Sequence, residues 1–446
     1  MGIVTSTVAA IETLDLDATA AAVQSTLDGW GVCFGAGAGR SPFVVDPVPR
    51  IVDRGDWDLL RRGIAQRAAA LAAFVADVYG ERRIVAAGVV PERVVLTAEH
   101  HHPELTGAFP ERFGWVAGLD VVCDASGRLT VLEDNMRTPS GLAYALAARA
   151  AVDSHLPSPP PSGRLDPADG IAALGAMLDA AAPPDRSADA PAVALLSDGP
   201  GNSAWYEHGR LASLLDVALL VPDDLLREGD RLLARDGDGV ARPLDVLYRR
   251  TDEDRPRDGD GTPTWIGELT LGPQAAGTLS VVNPFGTGIA DDKLVHAYVE
   301  AMIGFYRDET PILPSVPTYD LGDPDVLDEV FPRIGELVVK PRTGHGGEGV
   351  VICPRDSLAT RDEVRRRVAA DPGAYVAQEV VELSTEPTVA RGRLEPRHVD
   401  LRPFAVGIGE AATTLPLALT RVALTRGSLV VNSSRNGGAK DTWLMA

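Results

Sequence analysis

Three side chains with oxygen atoms lie in a short segment that predicts a β-hairpin. Glu133 and Asn135 are two residues apart on one predicted strand, so they share a face of it. If the turn centres on residues 125–127, Asp120 lies opposite them and joins that face. Two carboxylates and an amide oxygen form a hard, all-oxygen site that suits Mg²⁺. The alternative is an exposed polar strand face. The alternation of polar and apolar residues along the two strands weighs against an exposed face, because the other face is apolar. Its residues are Leu119, Val121, Leu132 and Met136.

A glycine-rich loop follows Lys340. The predicted strand 336–340 ends in this lysine, the loop turns the chain, and a second predicted strand, 349–353, returns. Glycine lets backbone N–H groups approach phosphate oxygens, and lysine supplies a compact positive charge. The segment is neither a Walker A motif nor a Rossmann fingerprint, because a strand and not a helix follows it. A glycine-rich hairpin with a chance lysine is an equal alternative on this segment alone. The glycines are Gly344, Gly346, Gly347 and Gly349.

Lysine is rare in this chain, which has three lysines among its 42 basic residues. Arginine serves almost everywhere else, so the few lysines are expected where a planar guanidinium does not fit. Lys293, Lys340 and Lys440 all border turns rich in Gly, Asn or Asp. This scarcity favours a phosphate site at Lys340.

Two arginines, Arg402 and Arg421, stand within strand-like runs near the C-terminus. A buried guanidinium needs an anionic partner. A phosphate or carboxylate of a substrate would serve, and so would a structural Asp or Glu, and the sequence leaves both open.

Helical and strand patterns alternate along the chain and indicate an α/β protein. Apolar residues at 3–4 spacing predict a helix over 56–79, and two proline-rich runs around a predicted helix at 168–181 indicate a junction. Short apolar runs between 192 and 283 predict a small α/β domain with a partly parallel sheet. The other predicted elements are an extended segment at 43–52, hairpin strands at 115–123 and 128–134, and a helix over 140–152.

The charge balance excludes several classes of partner. With 42 Lys+Arg against 63 Asp+Glu, the formal charge is −21, so no broad face for nucleic acid or an anionic membrane is expected. No apolar stretch approaches the roughly 18 residues of a membrane span. Three scattered cysteines and the lack of a secretory signal favour a cytoplasmic enzyme.

The order of these motifs resembles the circularly permuted ATP-grasp family, the relatives of glutathionylspermidine synthase. Asp120 followed after 13 residues by Glu133-x-Asn135 is similar to its magnesium signature, and Lys293 and Lys340 are similar to its two ATP lysines. Ordinary ATP-grasp chains place the lysines before the metal ligands, whereas here the acidic hairpin comes first. The likeness covers nearly the whole chain, with departures at Asn436 and in the segment His100–His102.

The resemblance implies a circularly permuted ATP-grasp fold with a pre-ATP-grasp-like α/β domain. Its expected divisions are a metal-binding half in 1–154, the junction 155–191, the pre-ATP-grasp-like domain 192–290 and the ATP-binding half 291–446. It also implies ATP and Mg²⁺, with two ions, and small-molecule carboxylate and amine substrates. The carboxylate would attack the γ-phosphate to give an acylphosphate and ADP, and the amine would then form an amide.

The resemblance further implies roles for individual residues. Asp120, Glu133 and Asn135 would hold the metal, and Arg421, Arg402 and Lys340 would be catalytic. ATP would be bound by Lys293, Lys340, Gly344, Gly346, Gly347, Gly349, Gln378 and Glu379, with the glycines forming a lid. Candidate substrate contacts are Arg137, Ser140, Asn202, Glu207, Arg250, Asn432 and Lys440.

Three other functions compete with this interpretation. A zinc hydrolase built on Glu99 and His100–His102 is disfavoured, because consecutive histidines rarely converge on one ion, and a solvated loop is expected there. A nucleotide-binding sensor or scaffold is disfavoured because every expected metal and lysine position is filled. An ATP-dependent small-molecule kinase shares the nucleotide site, so the sequence leaves it open.

Overall fold

The structure is a computed structural model, and it describes residues 3–156, 159–184, 190–235, 237–344, 348–429, 431 and 437–446. Four residues that carry predictions lie outside the described residues, namely Gly346, Gly347, Asn432 and Asn436. The predicted glycine lid is therefore described only in part.

A sheet of seven strands, counted over the described ranges, joins segments from the N-terminal and C-terminal parts of the chain. We call it the central sheet. Neighbouring strands in this sheet are antiparallel, except that the first and the last of its strands in sequence pair in parallel. Its strands are Val45–Val52, Gly114–Cys123, Leu129–Asn135, Thr385–Ala390, Arg393–Ile408, Ala411–Val422 and Gly438–Leu444. The segments predicted to carry the metal ligands and the C-terminal arginines are thus hydrogen-bonded into one sheet.

Strands Gly114–Cys123 and Leu129–Asn135 form the predicted hairpin, which we call the acidic hairpin. Asp120 pairs directly with Glu133, which confirms that these carboxylates share a face. The register shifts after Asp120, where Val121 pairs with Val131, so Leu132 is the additional residue of a β-bulge. Leu132 lines the cavity described below. Its predicted place on the opposite, apolar face was therefore wrong, because the sequence does not announce the bulge.

Helices cover both faces of the central sheet. The predicted helix at 56–79 is observed at Arg54–Tyr79, where the Asp53 carboxylate caps the N-terminus by accepting the Asp56 N–H at 2.9 Å. Its buried residues include Leu60, Ile64 and Leu71, which pack in the largest core. Helices Leu142–Asp153 and Ala168–Ala180 pack in a second core on the other face, and both were predicted.

The predicted small α/β unit contains a four-stranded sheet, which we call the parallel sheet. Its order is Ser280–Val282, Val246–Arg250, Val193–Ser197, Ala218–Leu220, and every neighbouring pair is parallel. Ligands of open α/β sheets bind beyond the carboxyl ends of the strands. Here those ends lead into two loops that carry Asn202 and residues 251–255.

A second four-stranded sheet carries Lys340, and we call it the Lys340 sheet. Its strands are Thr318–Asp320, Tyr375–Gln378, Val338–Pro341 and Val351–Ile352, all antiparallel. The strands predicted at 336–340 and 349–353 are confirmed, although both are shorter than predicted. Lys340 pairs with Val376 across the sheet, so the lysine lies beside the strand that ends in Gln378.

Smaller elements complete the described fold. The remaining strands are Cys33–Phe34, Ser41–Pro42, Leu225–Glu228, Arg231–Arg235 and Ala241–Pro243. The remaining α-helices are Ile3–Ile11, Leu16–Gly29, Arg83–Ala86, Glu92–Leu96, Trp205–Leu215, Trp265–Ala275, Lys293–His296, Val299–Arg307, Pro324–Val330 and Leu358–Ala370. Among the helices so described, none combines the length and apolar character needed to cross a membrane.

Candidate active site

One cavity of about 1140 Å³ collects most of the predicted site residues. Ligand pockets commonly measure roughly 300–1,000 Å³, so this cavity has room for a nucleotide and a second molecule. The central sheet, the parallel sheet and the Lys340 sheet all contribute to its wall. The predicted residues that line it are Asp120, Glu133, Asn135, Arg137, Ser140, Asn202, Arg250, Lys293, Lys340, Gly344, Gln378, Glu379, Arg402 and Arg421.

Lys340 and Lys293 face the same carboxylate, Glu133. Lys340 is only 8% exposed and donates no hydrogen bond to any residue the structure describes. Burial lowers the pKa of its ammonium, and the charge of Glu133 opposes that change. Nζ of Lys293 donates to the Gly344 carbonyl at 2.6 Å and lies 3.7 Å from Oε1 of Glu133. Two nearly buried cations that share one anion leave positive charge for an anionic ligand.

A buried ion pair connects the segments that carry these lysines. Asp292 caps the helix Lys293–His296 by accepting the Leu294 N–H at 2.9 Å. Both its oxygens also lie 2.8 Å from Nε of Arg342, which follows the Lys340 strand. Both side chains are almost fully buried. The ion pair therefore fixes the position of one lysine relative to the other.

A second buried network holds the acidic hairpin from behind. Asp134, whose neighbours are the predicted metal ligands, faces away from the cavity. It accepts hydrogen bonds from Nε and Nη2 of Arg67 at 2.6 and 2.8 Å. Nδ1 of His296 lies 2.6 Å from the same carboxylate. His296 is on the short helix that begins with Lys293, so this network connects that helix to the strand Leu129–Asn135.

Arg402 and Arg421 have structural carboxylates as partners, which answers a question that the sequence left open. Arg402 donates to both oxygens of Asp120 at 2.7 and 2.9 Å. Arg421 lies 2.8 Å from Asp120 and pairs with Asp400 through Nε, also at 2.8 Å. Burial opposes ionisation of Asp120, but the two guanidinium groups outweigh it and hold the pKa of this carboxyl well below its usual range.

The predicted metal ligands fit Mg²⁺ by their chemistry, with one difference in their partners. Glu133 and Asn135 line the cavity with oxygen donors, as a hard cation requires. Asp120 lies directly opposite Glu133, but both its oxygens accept hydrogen bonds from arginines. Within the described part of the chain, no three His, Cys, Asp or Glu side chains are grouped as metal ligands. A metal at this position therefore depends on the amide of Asn135 as well as on carboxylates.

Four buried atoms without a hydrogen-bond partner among the described residues belong to the lining of this cavity. Buried polar atoms are nearly always hydrogen-bonded, so each such atom calls for an explanation. A polar ligand in the cavity would supply the missing partners. The atoms are Nδ2 of Asn135, Nε of Arg250, Oδ2 of Asp254 and Oε1 of Gln378.

The predicted hinge residues end a strand of the Lys340 sheet. Nε2 of Gln378 donates to the Leu132 carbonyl at 3.2 Å and to Oγ1 of Thr318 at 2.9 Å. Glu379 accepts from the hydroxyl of Tyr319 at 2.7 Å and from Arg333 at 2.8 Å. These bonds join the Lys340 sheet to the bulge of the acidic hairpin, so both walls of the cavity meet here.

Glu207 does not line the cavity, although the sequence analysis placed it among the substrate contacts. Its carboxylate is fully buried and accepts from the hydroxyl of Ser140 and from the backbone N–H of Gly141 at 2.8 Å. Arg250 lies 3.4 Å from the same carboxylate. Glu207 thus holds Ser140 and Arg250 at the cavity wall from behind.

Lys440 and Gly349, for which ligand contacts were predicted, also lie off the cavity lining. Nζ of Lys440 is fully buried and donates to Asp46 and to the carbonyls of Val48 at 3.1 Å and Pro387 at 2.8 Å. All three of its hydrogens are therefore used within the protein. Gly349 has a φ of +69° and packs against Pro341. Neither distant contact could be read from the local sequence.

The histidine segment is not the solvated loop that was expected. His102 is buried, the ring of His101 stacks on Tyr79 at 5.5 Å, and Nδ1 of His100 lies 3.4 Å from Asp254. Sequence reasoning also missed Asp254 and Asp291 as cavity residues. Asp291 stands beside Asp292-Lys293, and that position was the only signal that could have identified it.

Comparisons with known proteins identify the family of this chain. The family model "Circularly permuted ATP-grasp type 2" matches residues 49–423. A Frankia alni protein named "Putative glutamate--cysteine ligase 2-3" is 46% identical over 409 residues, which are 90% of this chain and 47% of that protein. A Mycobacterium tuberculosis protein without an assigned activity is 39% identical over 97% of this chain and 79% of its own length. The chain thus spans about half the length of the Frankia relative.

A solved structure shares the fold at low identity. It is a glutathione synthetase-like effector from Globodera pallida in its apo form, with a TM-score of 0.61, 10% sequence identity and coverage of 96% of both chains. The predicted fold class and family are confirmed, while the predicted domain boundaries stay a prediction. The chain belongs to the circularly permuted ATP-grasp type 2 family.

Proposed function

We propose that this protein is an ATP- and Mg²⁺-dependent ligase that joins a small-molecule carboxylate to an amine and releases ADP and phosphate. One observation carries the proposal. Lys340 presents a nearly buried ammonium group, without a partner in the described chain, to a cavity that also contains Glu133 and Asn135. Positive charge beside hard oxygen ligands is the combination that binds the phosphates of a magnesium nucleotide.

The residues of the cavity have separate roles in this proposal. Lys293 and Lys340 neutralise phosphate oxygens, and the two arginines stabilise the negative charge of the transferring phosphoryl group. Asp120 and Asp400 hold those arginines in place. Mg²⁺, when bound by Glu133 and Asn135 with Asp120, supplies further neutralisation of phosphate charge. Gln378 and Glu379 lie where a base could dock.

The proposed reaction has two steps. A carboxylate oxygen of the first substrate attacks the γ-phosphorus, and the bond between that phosphorus and the β–γ bridging oxygen breaks to release ADP. The nitrogen of the amine then attacks the acyl carbon, and phosphate leaves with the electron pair of the C–O bond and takes up the proton that the amine gives up. No covalent bond to the protein is needed, so positioning and charge stabilisation dominate.

The relatives suggest the first substrates to test. The Frankia alni protein and a Frankia casuarinae protein, which is 45% identical over 90% of this chain, both carry names of glutamate–cysteine ligases. This chain matches 47% of each of them. Glutamate and cysteine are therefore the first acid and amine of a panel, and their use by this protein is a hypothesis.

The experiment supplies purified protein with ATP, Mg²⁺ and the twenty amino acids, singly and in pairs, together with spermidine. Nucleotides are separated by chromatography, and products are weighed by mass spectrometry. The expected result is ADP and a product with the mass of the acid plus the amine less one water. AMP as the nucleotide product would contradict the acylphosphate route. A phosphorylated acid that persists in the presence of every amine would instead support the alternative function, an ATP-dependent small-molecule kinase.

A further inference from the structure

Two carboxylates on the cavity wall, Asp254 and Asp291, have no role in the proposed transfer of the phosphoryl group. Asp254 is 3% exposed, and its Oδ1 is paired with Nη2 of Arg249 at 2.5 Å. Its Oδ2 is buried and accepts no hydrogen bond from a residue the structure describes. Nδ1 of His100 lies 3.4 Å from this oxygen, outside hydrogen-bond geometry. Asp254 thus keeps one unsatisfied acceptor at the cavity.

Asp291 is partly exposed, and it also uses only one of its carboxylate oxygens within the described chain. Its Oδ1 accepts the backbone N–H groups of Met136 and Arg137, the latter at 2.9 Å. No donor within the described ranges bonds its other oxygen. Those two N–H groups directly follow Asn135, and Lys293 comes two residues after Asp291. The carboxylate therefore lies at the end of the acidic hairpin, beside the proposed phosphate site.

The two carboxylates influence each other electrostatically. Burial raises the pKa of Asp291 to about 7, and the nearby charge of Asp254 adds to this rise, while Arg137 opposes it. Arg249 is held by the carbonyl oxygens of Asn283 and Glu253 as well as by Asp254, so it does not turn toward Asp291. Burial lowers the pKa of His100, which leaves that ring uncharged at neutral pH. The two carboxylates thus lack a cation that bonds both.

We propose that Asp254 and Asp291 form a subsite for the ammonium group of a cationic amine substrate. This inference rests on the proposed ligase function and names the chemical class of its second substrate. An ammonium group has three donors and no acceptor, so it can satisfy both free oxygens at once. It also supplies positive charge beside two neighbouring carboxylates, of which Asp254 is buried. Asp291 lies beside the proposed phosphate site, and the ammonium group gives one proton to its carboxylate before the free nitrogen attacks the acyl carbon.

The test uses hydroxylamine as a second nucleophile. Hydroxylamine is mostly uncharged at neutral pH and converts acylphosphates to hydroxamates, so it reports the first step without using an ammonium subsite. Asp291→Asn is the test variant, because the amide oxygen can still accept both backbone N–H groups while the charge is lost. Asp254→Asn is avoided, since it would leave the buried Arg249 without its anion. Glu253→Gln is the matched control: Glu253 also lines the cavity, but Arg255 already satisfies it.

Wild type, D291N and E253Q are each given ATP, Mg²⁺ and the amino-acid panel. One assay adds hydroxylamine, and the other adds the cationic amines of that panel and spermidine. The expected result for D291N is a split, in which amide formation falls about tenfold or more and hydroxamate formation falls far less. E253Q should resemble the wild type in both assays. Equal loss of both products in D291N, or unchanged amide formation, would overturn the subsite.

Two results for the wild type separate this inference from the proposed function. Hydroxamate without amide from any cationic amine would overturn the ammonium subsite and leave the acylphosphate step standing. Neither hydroxamate nor ADP from any acid would overturn the proposed function, and the subsite would fail with it.

Discussion

Asp292 and Arg342 form a buried ion pair in which both carboxylate oxygens lie 2.8 Å from Nε of the guanidinium. Asp292 immediately precedes Lys293, and Arg342 lies two residues after Lys340. The distance between the two lysines that face Glu133 is therefore set by a contact between their chain neighbours. Arg342 also donates to the carbonyl of Val94, so the same side chain anchors the lysines to the helical region that packs behind them.

The first prediction concerns this ion pair. Arg342→Met leaves Asp292 buried without a cation, and we expect unfolding to become easier by about 3–5 kcal/mol. Adding Asp292→Asn should recover part of this loss, because the amide still caps the helix and carries no charge. ATP binding should weaken in both variants, since Lys293 is no longer fixed. Urea unfolding and calorimetric titration with ATP measure the two effects.

Arg355→Met is the control for that comparison. Arg355 is exposed, and its side chain donates a hydrogen bond to the Gly427 carbonyl at 3.2 Å. Its loss should change stability by no more than about 0.5 kcal/mol. If R342M lost no more stability than R355M, the buried pair would have no role in stability, and the inferred coupling between the two lysines would be refuted.

The second prediction concerns the nucleotide site itself. Lys340→Ala removes the ammonium group that lacks a partner in the described chain, and Glu133→Ala removes the carboxylate between the two lysines. We expect each change to abolish ATP turnover while the circular dichroism spectrum stays that of the wild type. Release of ADP, measured with the acid identified from the panel, is the assay. Unchanged turnover in either folded variant would refute the proposed site.

The sequence predicted those parts of the site that depend on local pattern. Strand alternation put Glu133 and Asn135 on one face, and the prediction that Asp120 joins them is confirmed, but its direct pairing with Glu133 depends on the bulge at Leu132. Lys340 was identified because lysine is rare here and because glycines follow it. The helix predicted over 56–79 was readable from its apolar periodicity, and the strands of the parallel sheet from short apolar runs, although that sheet was predicted to be only partly parallel.

The parts that were missed depend on contacts between distant segments. The partners of Arg402 include Asp120, which lies 282 residues away in the chain. Lys440 is satisfied by Asp46, and Glu207 by groups near Ser140, so neither could be separated from a ligand contact by pattern alone. The bulge at Leu132 adds one residue to a strand, and no local residue type marks it.

The third prediction concerns the dependence of stability on pH. Burial raises the pKa of Asp291 to about 7 in the folded protein, above its ordinary value of 3.8. The folded state therefore holds a proton that the unfolded state releases, so this contribution to stability is complete below the ordinary pKa and is lost as the pH rises through 7. Between these two pKa values, each unit of pH lowers the free energy of unfolding by up to about 1.4 kcal/mol.

The variant D291N lacks this contribution. Between pH 5 and pH 8 the thermal midpoint of the wild type should therefore fall relative to that of D291N. The comparison is made by scanning fluorimetry without metal or nucleotide. E253Q serves as the control, because a hydrogen bond from Arg255 lowers the pKa of Glu253, and that group changes charge only in more acidic solution. A constant difference between D291N and the wild type across this range would show that Asp291 is already ionised at pH 5.

The last prediction concerns Gly349, which supports the strand of Lys340 from the far side of the glycine loop. Gly349 has a φ of +69°, and a Cβ there would lie 2.6 Å from Cγ of Pro341, the residue after Lys340. Gly427 has a φ of +77° with no atom within 4 Å of such a Cβ. Alanine at either position therefore carries the left-handed backbone cost of about 1–2 kcal/mol. Only Gly349→Ala must also displace Pro341. We expect G349A to lose more thermal stability than G427A and to bind ATP more weakly, because the displaced proline moves its neighbour Lys340. Equal losses in the two variants, with ATP affinity unchanged in both, would show that Pro341 yields without moving the lysine.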